Sequence, residues 1–102
     1  SEEGRFLDET ARAASDDARV LETLIELKQD DLSHYIPGSE EYAVRMAACD
    51  QAVSVYNERI RVSRYITSHQ YDRSGTYRWL RQHEHSEGQI QPGLQEMTDP
   101  GY

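Results

Sequence analysis

A chain of 102 residues in which 36% are hydrophobic is one domain at most, with little apolar material for a core of its own, so a partner would help it fold. Its net charge of −8 opposes non-specific attraction of the whole molecule to nucleic acid or to an anionic membrane. No apolar run reaches bilayer length and no charged segment precedes an apolar one at the start, so the expectation is a cytoplasmic or virion/particle-associated chain without a secretion signal.

The first periodic signal is Leu7, Ala11, Ala14, Ala18, Leu21, Ile25, Lys28, Leu32 and Tyr35, spaced alternately by four and three. That heptad seam, interrupted only by Lys28, predicts one long helix. Residues 36–41, IPGSEE, end it: Pro37 and Gly38 disfavour helix, Ser39 is a good N-cap, and Glu40 and Glu41 suit the positive end of a second helix dipole. The second helix is predicted from about residue 40 to about residue 70. It carries two adjacent seams, Met46, Cys49, Val53, Tyr56 and Ile60 beside Ala48, Ala52, Val55, Arg59, Val62, Ile66 and His69, a stripe wider than one partner helix covers.

A short connection makes the two helices antiparallel, in a register where paired residue numbers sum to about 75. Small residues of one helix then meet large residues of the other, as close packing requires. Charge follows the same register. Residues 1–41 hold twelve acids against four bases, whereas residues 42–83 hold seven bases, all Arg, against Asp50, Glu58 and Asp72. Much of the positive charge is expected to be answered inside the hairpin, with Arg64 reaching Asp8 or Glu9.

Beyond Tyr71, Asp72 or Ser74 can cap a short third helix from about Gly75 to Ser86, closed by Gly88. The last residues carry two Pro-Gly pairs and no periodicity, which predicts an extended C-terminal arm. The expected fold class is all-α: a long antiparallel coiled-coil helical hairpin over 1–71, a short helix over 72–88 and an extended tail over 89–102. The single cysteine, Cys49, sits among small apolar residues and reads as a buried thiol rather than half of a disulfide.

The octapeptide RYITSHQY, residues 64–71, resembles the Arg-x4-His-x-Tyr signature of HEPN domains, small all-helical proteins that include RNase toxins and work as dimers. The resemblance implies Arg64 and His69 as a catalytic pair, with Tyr71 a modifiable residue beside them. The reading from the residues themselves is structural: five residues span roughly 140° of helix, so Arg64 and His69 need not share a face. On that reading Arg64 is a surface residue, His69 ends the second seam and Tyr71 packs at a helix end.

His83, His85 and Glu87 are candidate metal ligands, although two His one residue apart point about 200° from each other on a helix. No metal or other cofactor is expected. Tyr56, Arg59, Tyr65, Tyr77, Trp79 and Arg81 are of the residue types that protein interfaces enrich, and they are taken as the interface. The same interleaving of aromatics and Arg suits RNA, but the acidic helix alongside makes nucleic acid the less favoured partner. The expected function is a non-catalytic structural or accessory subunit of a larger protein assembly such as a virion, a scaffold or an enzyme complex. Its partner would be another protein or copies of the chain. The alternatives are a HEPN-like RNase or toxin component and a helical RNA-binding adaptor.

Overall fold

The computed structural model describes residues 1–86, and the arm expected over 89–102 lies outside them. Three helices follow in order: α1, Glu2–Leu32; α2, Glu40–Ser68; and α3, Arg73–Ser86. The molecule is an all-α helical hairpin of α1 and α2 with α3 laid against one end.

Local chemistry sets each boundary. The Ser1 hydroxyl accepts from the Gly4 amide at 3.1 Å, with Glu2 and Glu3 in the first turn of α1. The helix stops at Leu32, one turn before the end of its seam, where the Ser33 hydroxyl donates back to the Asp30 carbonyl. Gly38 takes φ 91° in the connection, a left-handed conformation that residues with a Cβ rarely adopt. Ser39 then caps α2 as expected, its hydroxyl accepting from the Tyr42 amide at 3.2 Å.

The open end departs slightly from the expected boundaries. Helix α2 ends at Ser68 and α3 begins at Arg73, because the Asp72 carboxylate accepts from the Gly75 amide at 2.9 Å and caps α3 earlier than Ser74 would. The buried Thr76 donates its hydroxyl to the Asp72 and His69 carbonyls, tying the start of α3 to the end of α2.

The hairpin register is borne out by two ion pairs. Arg59 meets Asp17 at 3.2 Å and Arg45 meets Asp31 at 3.5 Å, so the numbers in each pair sum to 76. Two apolar clusters divide the length. At the open end Leu7, Ala11, Ala14, Val62, Ile66 and Leu80 join all three helices, whereas toward the connection the cluster is Leu21 and Ala52, flanked by Leu24, Ile25, Val55 and Tyr56, with Ala48 and Cys49 also buried. Small residues meet large ones in both clusters, Ala11 and Ala14 with Val62 and Ile66 of the second seam and Ala52 with Leu21.

That second seam is the core of α2. Of the first, only Cys49 is buried; Val53, Tyr56 and Ile60 are half-buried and Met46 is 41% exposed. The broad stripe is therefore only partly covered among the described residues. At about 1.5 Å per residue α1 runs about 46 Å and α3 about 21 Å, so α3 spans under half of the hairpin.

Candidate functional site

The segment that resembles the HEPN signature forms the last turn of α2 and the cap that follows it. His69 is half-buried. Its Nδ1 donates to the Tyr65 carbonyl at 2.8 Å and also lies 3.0 Å from the Ser68 hydroxyl, and its ring stacks on Tyr65 with centroids 3.9 Å apart. Tyr71 is 82% exposed, tilted against His69 at 5.7 Å. Arg64 is exposed on another face of the helix. An open depression of about 420 Å³ lies over the first turns of α1, lined by Ser1, Gly4, Arg5, Asp8, Glu9 and Arg12. Neither Arg64 nor His69 lines it, and within one chain the two do not converge on a shared cleft.

The ion pair expected for Arg64 belongs to another residue. Arg73, the first residue of α3, donates from Nη2 to the Asp8 carboxylate at 2.7 Å and to the Gly4 carbonyl at 2.9 Å. The chain turns through residues 69–72 and starts α3 over the first turns of α1, which brings Arg73 to carboxylates that the straight hairpin register assigns to Arg64.

The residues taken as an interface serve mostly to hold α3. Tyr65 of α2 stacks on Trp79 of α3 at 3.8 Å, and Trp79 stacks on His83 at 4.8 Å, so imidazole and aromatic rings from two helices form one column. Tyr77 meets Phe6 of α1 edge-on at 5.7 Å and lies under the Arg81 guanidinium at 5.5 Å. Tyr56 flanks the cluster near the connection. Arg59 corrects the expectation outright. It is 2% exposed and its guanidinium faces Asp17 inside the hairpin, so it has no free surface to offer a partner.

Of the metal candidates, His83 is buried, with Nε2 hydrogen-bonded to the Glu58 carboxylate. The His85 side chain and Glu87 lie outside what is described. Among the described residues no three or more His, Cys, Asp or Glu side chains gather as metal ligands would. Burial, with Asp50 adding to it, pushes the Cys49 thiol above its ordinary range.

The anchors that reasoning from sequence missed are Arg73 and the His83–Glu58 pair. His83 had a signal: it lies i+3 from Leu80 and i+7 from Thr76, on the face that α3 buries.

What remains open is the other half of the hairpin. Val20, Leu27, Ile36, Val44 and Met46 are exposed there, and the side chains packed on its buried cluster come from α1 and α2 alone. Among the described residues no helix is long and apolar enough to cross a membrane. Compared with protein-family models, curated proteins and solved structures, the chain matches none.

Proposed function

We propose that this chain is a non-catalytic structural or accessory subunit of a larger protein assembly, held in place by helix packing. The observation that carries the reading is where the exposed apolar side chains fall. Among the described residues the end closed by α3 exposes only Phe6 and Tyr71 of its large apolar side chains, whereas the half near the connection exposes Val20, Leu27, Ile36, Val44 and Met46. Apolar side chains gathered in one region mark a contact surface, while singly scattered ones carry no such meaning.

The reading places the partner surface away from the Arg and aromatic residues, because Arg59, Tyr65, Tyr77 and Trp79 are occupied within the chain. The nuclease alternative draws no support from the position of Arg64 and His69 on different faces of one chain. The test is native size in a gentle extract of the cells that make the protein, followed by light scattering. A species well above the monomer supports the reading, and a free monomer overturns it. RNA cleavage lost on both Arg64→Ala and His69→Ala would replace it with the nuclease.

A further inference from the structure

The groove that receives α3 does not end where α3 ends. On α1, residues 6, 17, 20, 24, 27 and 31 follow one another on a single face by helical steps of three, four and eleven. Phe6 at its start touches α3, Asp17 and Asp31 hold Arg59 and Arg45, and between them Val20 and Leu27 face outward beside the half-buried Leu24. On α2, residues 44, 48, 51, 55, 58, 62 and 65 form the matching face. Glu58 and Tyr65 receive His83 and Trp79 of α3, whereas the apolar cluster that Val55 packs against draws its residues from α1 and α2. Leu27, Val20 and Val44 are 63%, 51% and 49% exposed, with Leu24 and Val55 half-buried beneath them. The uncovered length, about 46 Å less about 21 Å, suits a helix of about four turns.

Charge selects the occupant. Residues 19–55 hold seven acids, Glu22, Glu26, Asp30, Asp31, Glu40, Glu41 and Asp50, against Arg19, Lys28 and Arg45. Two such halves repel each other, so a second copy packed face to face is disfavoured. Residues 87–102 carry Glu87, Glu96 and Asp99 and no Lys or Arg, so the chain's own C-terminal segment has the wrong sign. The helix that does occupy this groove, α3, carries Arg73, Arg78 and Arg81 and docks through Tyr77, Leu80 and His83.

We propose, resting on the assembly reading above, that the groove between Val20, Leu24 and Leu27 of α1 and Val44, Ala48 and Val55 of α2 docks a basic amphipathic helix of a partner protein. Its apolar residues, three and four apart, lie between the two faces, continuing the line of α3. Its Lys and Arg answer the acidic half of the hairpin and steer the encounter.

The experiment uses the full chain and a labelled synthetic peptide of about 16 residues, with Leu at i, i+3, i+4 and i+7 and Lys at the flanks. A twin carries Glu in place of Lys. Fluorescence anisotropy should show the Lys peptide saturating one site, binding about tenfold more tightly than the Glu twin and weakening as salt rises. The double variant Leu27→Gln and Val44→Gln should weaken the Lys peptide about tenfold, and Met46→Gln, on the other side of α2, should leave it unchanged. No saturable binding, equal binding of the two peptides, or sensitivity to Met46→Gln in place of the double variant overturns the proposal. Self-association of the chain that the double variant abolishes assigns the groove to a second copy and overturns it too. If the native species is large while the peptide fails, the docking proposal falls and the assembly reading stands; a native free monomer defeats the assembly reading itself.

Discussion

The two ends of the hairpin are built from the same kind of helix yet solve burial differently. At the open end a third helix closes the cluster of Leu7, Val62, Ile66 and Leu80, all fully buried. Toward the connection the same two helices bury Leu21 with the smaller Ala48, Cys49 and Ala52, and leave Leu27 and Val44 in water. Two helices alone enclose a single line of side chains, and a core needs a third element before any residue is surrounded on all sides. The difference lies in coverage more than in composition. Stability should therefore concentrate at the end that α3 reaches.

The sharpest way to break this comparison is to empty a leucine at each end. Leu80→Ala removes a fully buried side chain of α3 and should cost about 2–5 kcal/mol in urea unfolding, whereas Leu27→Ala should change stability by no more than about 0.5 kcal/mol. Equal costs would mean that the two halves are equally packed. Overfilling sharpens it next. Ala14→Leu, beneath the three-helix cluster, should cost about 1–3 kcal/mol, and Ala48→Leu less, because its added methyl groups can swing toward the uncovered groove. Thermal melts of both variants that match the parent would show the pairing of α1 and α2 to be wrong.

Asp17→Ala probes the boundary between the halves. It strips the carboxylate from the guanidinium of Arg59 and should cost about 1–3 kcal/mol. Arg64→Ala, at an exposed position, should stay within about 0.5 kcal/mol in the same assay. The smallest effect expected is kinetic. A buried Cys49 with its thiol pushed above the ordinary range holds little thiolate at neutral pH, so a thiol reagent should label it slowly in the folded chain and fast in denaturant. Fast labelling of the folded chain would show the end near the connection to be opening.

Much of this architecture was legible from spacing alone. The seam of α1 and the second seam of α2 became the core because a period near 3.5 puts those residues on one face, and IPGSEE held both the breaker and the cap of the turn. Arg59 shows where such reading fails. Its position between Val55 and Val62 put it in the buried seam, while its charge argued for the surface; position prevailed, because Asp17 stands opposite to answer the charge. The contacts of α3 were not legible. Which acid Arg73 finds, and that His83 meets Glu58, depend on the direction the chain takes through residues 69–72, where no periodicity constrains it.

The column of rings at the open end gives the molecule an optical consequence. Trp79 is the only tryptophan and lies between Tyr65 at 3.8 Å and His83 at 4.8 Å, one ring from α2 and one from its own helix. Indole emission responds to the polarity and the quenching groups of its immediate surroundings, so departure of α3 from the hairpin would register as a change in colour and intensity. Events near the connection, about 25 Å or more along the helix axis, would leave that signal dark. One half of the molecule thus carries its own reporter, and the other can be followed only by a probe placed there.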